Sequence, residues 1–248
     1  MSNVIEVKNL CKNYKDFSLN NLSFSFPTGC IMGLVGQNGA GKTTTIRLLL
    51  NMVKRDDGEV RIFGLDNIGD EQRIKQDIAA VFDEVFFVDI WKVCEVEKAI
   101  SGFYSKWDSK LYSQYLIKFR LPTDKKVKDL SRGMKMKLML VVALSHEAQL
   151  LILDEPTSGL DPVARDELLE ILQAYISDGR KSILFSTHIT SDLEKIADYI
   201  TLIDNGSIIY TGTKDNLLKR FSGLLPSSKT PTIDEILIFV GKGGKLHG

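Results

Sequence analysis

The chain has 248 residues, close to the upper limit for one hydrophobic core, with the 44% hydrophobic and 26% charged content of an ordinary globular protein. Its 32 Lys plus Arg are balanced by 32 Asp plus Glu, so net charge gives no reason to expect a nucleic-acid partner. Cys11, Cys30 and Cys94 form no C-x-x-C pair, no apolar run reaches the roughly 18–20 residues of a membrane span, and the start Met1-Ser2-Asn3 has no signal-peptide pattern; the expectation is a cytoplasmic protein that reaches a membrane only through a partner.

Near the N-terminus Leu22, Phe24 and Phe26 alternate with Ser23 and Ser25, a period of two that predicts half-buried, antiparallel strands. The pattern then changes to short continuous apolar runs. Ile31 to Val35 precedes Gly36, Leu150 to Leu153 precedes Asp154, and Ile183 to Phe185 precedes Ser186-Thr187-His188. Runs of this kind suit strands covered on both faces, as in a parallel sheet, whose ligands bind beyond the carboxyl ends of the strands. From Glu84 to about Leu144 the sequence reads as mostly helical and rich in Lys and aromatic residues, an inserted lobe. After Gly212 it reads as a loop around Pro226-Ser227-Ser228, then a short docking helix near Ile233 to Phe239. The closing Gly241-Lys242-Gly243-Gly244 is expected to fray.

Gly36-Gln37-Asn38-Gly39-Ala40-Gly41-Lys42-Thr43 matches G-x-x-x-x-G-K-[ST] in full, between an apolar strand and a helical segment that opens at Thr44. Such glycines let backbone N–H groups turn toward phosphate oxygens. Lys42 supplies a point charge for the β- and γ-phosphates, Thr43 a hydroxyl for Mg²⁺, and the helix the positive end of its dipole. This predicts that a nucleotide is held.

Leu150 to Leu153 runs into Asp154 and Glu155. Two adjacent carboxylates closing a buried strand are costly without a cation. Asp154 suits Mg²⁺ through its water shell. Glu155 suits a general base for the attacking water, a role worth about 10²–10⁴ in rate, or about 2.7–5.4 kcal/mol of barrier. Ser158-Gly159-Leu160-Asp161 predicts a sharp turn, and His188, at the same sheet edge, can reach a γ-phosphate.

Leu130-Ser131-Arg132-Gly133-Met134 opens a further helix about 20 residues before Asp154. In this order, over residues 4–212, the set resembles the nucleotide-binding subunits of ATP-binding cassette (ABC) transporters, with most likeness to bacterial exporter ATPases of the ABC-2 type. Their signature is Leu-Ser-Gly-Gly-Gln; here Arg132 and Met134 depart from it while Ser131 and Gly133 keep it. The resemblance implies an α/β fold: a P-loop NTPase (RecA-like), mostly parallel sheet core with an N-terminal antiparallel β lobe and an inserted α-helical subdomain. It implies a nucleotide-binding domain over residues 1–212, its helical subdomain at about 84–144, and a tail over 213–248.

The resemblance further implies ATP and Mg²⁺ as cofactors and ATP hydrolysis that powers a transporter. The nucleotide set is Gly36, Gln37, Asn38, Gly39, Ala40, Gly41, Lys42, Thr43, Thr44 and Asp161, completed by Ser131 and Gly133 of a second subunit facing head to tail. Tyr14 stacks on adenine or is a buried strand residue. The strand Ile78 to Phe82 puts Asp83 where the family has a glutamine beside Mg²⁺; an ionised carboxylate there binds metal but cannot donate to the attacking water. Partners are a separately encoded transmembrane subunit, held on the inner membrane face, and a second nucleotide-binding subunit. The run Val85 to Trp91 is core or a groove for the membrane subunit, and the groove requires some of Phe86, Phe87, Ile90 and Trp91 to be exposed. Alternatives are a soluble non-transport ABC ATPase and an ATP-binding regulatory subunit with little hydrolysis.

Overall fold

The computed structural model describes residues 2–82, 87–222, 224 and 230–244. Asn3–Asn13 (β1) pairs antiparallel with Ser18–Pro27 (β2) on one side and with Asp57–Ile62 (β4) on the other. Leu65–Asp66 (β5) completes a four-stranded sheet of order β2-β1-β4-β5. The alternation in β2 is realised directly: Leu22, Phe24 and Phe26 are buried and Ser23 and Ser25 exposed.

A second sheet has the order β10-β9-β3-β8-β7-β6. It comprises Ile31–Val35 (β3), Ile78–Val81 (β6), Leu150–Asp154 (β7), Ser182–Thr187 (β8), Tyr199–Asp204 (β9) and Ser207–Thr213 (β10). All neighbours are parallel except β9 and β10, which form a hairpin. The expected mostly parallel α/β core with an antiparallel β lobe is therefore what the chain builds.

Both faces of this sheet are covered, which explains its continuous apolar strands. Met32, Leu34, Leu150, Ile152 and Leu184 face the antiparallel sheet and helix Lys42–Leu49 (α1). Ile31, Val35, Leu151, Leu153, Ile183 and Phe185 face the opposite core. Glu71–Asp77 (α2) leads into β6. Between β6 and β7 lie Val93–Ile100 (α3), Ser109–Lys118 (α4) and Arg132–Ser145 (α5). Asp108 caps α4 by accepting from the N–H groups of Lys110 and Leu111, and the buried Tyr112 hydroxyl donates to Val93 O at 2.9 Å, tying α4 to α3. Pro162–Ile176 (α6) and Thr190–Ile196 (α7) follow β7 and β8.

Lys214–Ser222 forms a further helix (α8) ahead of the expected loop, whose Pro226-Ser227-Ser228 lies outside the described residues; Leu217 and Phe221 sit four residues apart on one face and are fully buried. One expectation changes. The Gly241 to Gly244 segment is not frayed. Ile233–Gly241 (α9) ends with Gly243 N–H on Val240 O at 2.9 Å and Gly244 N–H on Phe239 O at 3.0 Å, with Gly243 at φ +85. That is a Schellman cap, which spends the glycine's left-handed freedom on satisfying the last carbonyls.

Candidate functional site

Parallel register brings the polar ends of three strands to one edge. Val35, followed by Gly36, lies opposite Thr187, and Asp154 lies opposite Ser186. The loop after β3 is tight. A methyl group on Gly36 would stand 2.3 Å from Ile203 O, and one on Gly41, at φ +115, 2.5 Å from Leu19 Cδ2. Gly206 N–H donates to Ala40 O at 3.0 Å, fastening the loop to the β9–β10 hairpin. Lys42 is buried; its Nζ donates to Gly36 O at 2.9 Å and Gln37 O at 3.3 Å and lies 3.5 Å from Glu155 Oε1.

Asp154 is buried, and its Oδ1 accepts from Ser186 Oγ at 2.5 Å. Glu155 adopts φ +53, a left-handed conformation that costs a non-glycine residue about 1–2 kcal/mol. Its N–H donates to Ser186 O at 3.0 Å, and its Oε2 lies 2.7 Å from His188 Nδ1. The strained turn thus aims the carboxylate back over the loop, toward Lys42.

A cleft of about 680 Å³ results. Asn38, Gly39, Gly41, Lys42, Thr43 and Thr44 line one side, and Asp154, Glu155 and His188 the other. The structure adds Asp16 and Phe17, which the sequence reading did not single out, and brings Ser158 of the expected turn into the lining. Asp16 and Phe17 come from the β1–β2 turn, whose approach to the loop is a tertiary contact with no local pattern. Gly36 and Ala40 are buried beneath the loop, and exposed Gln37 points to α9, where a methyl on Gly241 would stand 2.1 Å from its Nε2. Tyr14 is no buried strand residue: it is 47% exposed, with Lys12 Nζ 5.5 Å from its ring centroid, and lies outside the lining. Thr43 and Asp154 give the cleft a hydroxyl and a carboxylate, oxygen donors of the kind Mg²⁺ takes. Asp83 lies outside the described residues.

Ser131, Gly133 and Asp161 are brought together elsewhere, in a pocket of about 770 Å³ that shares no lining residue with the cleft. Ser131 caps α5, its Oγ accepting from Met134 N–H at 3.3 Å. Asp161 caps α6, its Oδ1 accepting from the N–H groups of Val163 and Ala164 at 3.1 and 3.0 Å. The Ser158 to Asp161 turn joins the two places: Ser158 lines the cleft, and Gly159, Leu160 and Asp161 the pocket. In the aromatic run, Ile90 is 66% exposed, whereas Phe87 and Trp91 pack against the core and Phe86 lies outside the described residues. No helix among the described residues is long and apolar enough to cross a membrane.

A family model described as ABC transporter matches residues 19–158. The bacitracin transport ATP-binding protein BcrA of Bacillus licheniformis is 33% identical over 226 residues, which cover 89% of this chain and 73% of that protein. The lantibiotic transport ATP-binding protein SrtF of Streptococcus pyogenes is 34% identical over 226 residues, covering 88% and 96%. A solved structure of the ATP-binding subunit of an ABC transporter superposes with a TM-score of 0.84 at 28% identity, covering 96% of this chain and 99% of that one.

Proposed function

The chain belongs to the ABC transporter family, and from that premise we propose that it hydrolyses ATP to drive export through a separately encoded membrane protein. The observation that carries the reading is the meeting of Glu155 with His188 at 2.7 Å and with Lys42 at 3.5 Å in one cleft. Such a cleft has the parts that phosphoryl transfer to water requires: a cation on the phosphates, a carboxylate for the water and a donor for the γ-phosphate.

The loop N–H groups from Gly39 to Thr44 cradle the phosphates, and Lys42 moves from Gly36 O and Gln37 O onto the β- and γ-oxygens. Thr43 and Asp154 would hold Mg²⁺, which when bound would neutralise charge on the phosphate oxygens; Asp83 would be a further ligand in this reading. Glu155 takes the proton of the attacking water. His188 orients Glu155 through Nδ1 and offers its other ring nitrogen to the γ-phosphate. Tyr14, exposed beside the β1–β2 turn, stacks on adenine. Because the cleft and the Ser131 pocket share no residue, Ser131, Gly133 and Asp161 act on the nucleotide of a second copy or a close relative. The membrane subunit docks near exposed Ile90 and Val88 and holds the chain on the cytoplasmic face.

The test is phosphate release by the purified chain with ATP and Mg²⁺, compared with Glu155→Gln. Wild type is expected to turn over and the variant to fall by about 10²–10⁴-fold while still binding ATP. Equal rates in both, with the membrane partner present, would remove the catalytic assignment. Co-purification with ribosomes or DNA instead of a membrane protein would remove the transport assignment.

A further inference from the structure

We propose that Arg132, one of the two residues at which this chain departs from Leu-Ser-Gly-Gly-Gln, is a positioning residue that clamps the start of α5 onto the Ser158–Asp161 turn and so couples the two separate places described above. The inference rests on the ATP-hydrolysis reading of the cleft.

The observation is a close approach. A methyl group on Gly159 would stand 2.4 Å from Arg132 Nη1, 2.8 Å from Cζ and 3.2 Å from Nε. Three atoms of the guanidinium therefore occupy the space that any side chain at residue 159 would need. Gly159 adopts φ +67, which presents that bare Cα toward α5. The neighbouring contact is looser: a methyl on Gly133 would meet Ala164 Cβ at 3.6 Å and Leu160 Cδ2 at 3.7 Å, ordinary van der Waals distances. At the start of α5 the closest approach to the turn is thus made by the guanidinium, the far end of the flexible Arg132 side chain, and not by the packing around Gly133.

The place of this contact gives it a role. The segment under the guanidinium begins at Glu155, whose carbonyl accepts from Ser158 N–H at 3.1 Å, and continues through Leu160 N–H on Thr157 O at 3.2 Å to Asp161, the cap of α6. Ser158 faces the cleft while Gly159 faces the pocket. A flat, always-charged guanidinium laid across the turn holds Ser131 and the Glu155 turn in fixed relation. Glycine at residue 132 has no side chain to do this, and a lysine ammonium on a flexible stem lacks the plane. Arg132 lines the Ser131 pocket and not the cleft, so its loss leaves ATP binding to the cleft of the isolated chain unchanged and is read in kcat of the assembled site.

The experiment is a double-mutant cycle with Arg132→Ala, Gly159→Ala and both together, measured for kcat and KM of ATP hydrolysis and for the urea midpoint of unfolding. The left-handed strain of alanine at residue 159 is present in both backgrounds and cancels in the cycle. Arg132→Ala is expected to lower kcat about tenfold, with the ATP affinity of the isolated chain, titrated separately, unchanged. The double variant should fall no further than Gly159→Ala alone, in rate and in midpoint, and Arg132→Lys should not restore the rate. Effects of the two changes that multiply in rate and add in midpoint would overturn the proposal, as would full activity in Arg132→Ala or rescue by lysine. If wild type itself hydrolyses no ATP, the function reading fails, and the urea cycle alone decides whether the clamp exists.

Discussion

Glu155 and His188 are joined twice: Glu155 Oε2 lies 2.7 Å from the Nδ1 atom of His188 and accepts from the His188 backbone N–H at 3.3 Å. The first contact fixes the imidazole, and the second holds the carboxylate if the ring is removed. His188→Ala is therefore expected to keep ATP affinity and lose about 10²-fold in turnover, while His188→Asn, which retains a short donor, loses less. Steady-state phosphate release against nucleotide titration separates the two effects. An alanine variant with wild-type turnover removes His188 from the reaction.

Gly36 and Gly39 make opposite predictions from one loop. A methyl on Gly36 runs into Ile203 O, a backbone atom that cannot step aside, so Gly36→Ala should cost about 1–3 kcal/mol and spread the loop. Gly39, at φ +81, has no atom of the described residues within 4 Å of a built methyl, so Gly39→Ala costs the fold the left-handed strain of about 1–2 kcal/mol without moving the loop. Titration with a fluorescent ATP analogue should show Gly36→Ala binding markedly weaker than Gly39→Ala. The reverse order would mean that crowding from β9 does not shape the loop.

Arg165 on α6 bonds the buried carboxylate of Asp192 on α7 through Nε at 2.5 Å and reaches Ser191 Oγ through Nη2 at 2.7 Å. The bond is to Asp192 Oδ1; Oδ2 is buried with no hydrogen-bond partner among the described residues. Arg165→Met strands that charge and should destabilise the fold by on the order of 3 kcal/mol. Adding Asp192→Leu should return most of the loss, since an apolar pair replaces an ion pair at little cost. Urea unfolding of the two variants checks both signs.

His146 is buried against β6, with Nδ1 3.0 Å from Val142 O, Nε2 3.2 Å from Ile78 O and the Tyr104 ring stacked at 3.9 Å. Burial pushes its pKa below the ordinary 6.5, and the two carbonyls and the Asp77 charge only partly oppose this. On acidification the unfolded chain takes up its proton first, so stability falls as pH drops below 6.5 and the loss levels off below the folded value. The urea midpoint should decline over that window in wild type and decline less in His146→Phe.

The nucleotide cleft was legible where chemistry imposes spacing. Gly36 to Thr43, and the carboxylates closing Leu150 to Leu153, carry their constraint within a few consecutive residues, and the structure brings Lys42, Asp154, Glu155 and His188 into one cleft. The β9–β10 hairpin also carries a local signal. Asp204-Asn205-Gly206 separates two apolar runs, and Asn205 and Gly206 take φ +43 and +72, the turn that Asn-Gly favours. Phe17 in the cleft and the Arg132–Gly159 contact had none, because residues 24 and 27 positions apart meet there only through the fold.

The claim that one nucleotide needs two copies of this surface is tested most directly by light scattering of Glu155→Gln with and without ATP and Mg²⁺. The 27.8 kDa monomer is expected without nucleotide and twice that mass with it, with a return to monomer when Ser131→Arg is added. A mass that does not respond to ATP, or a dimer that survives Ser131→Arg, would contradict that claim.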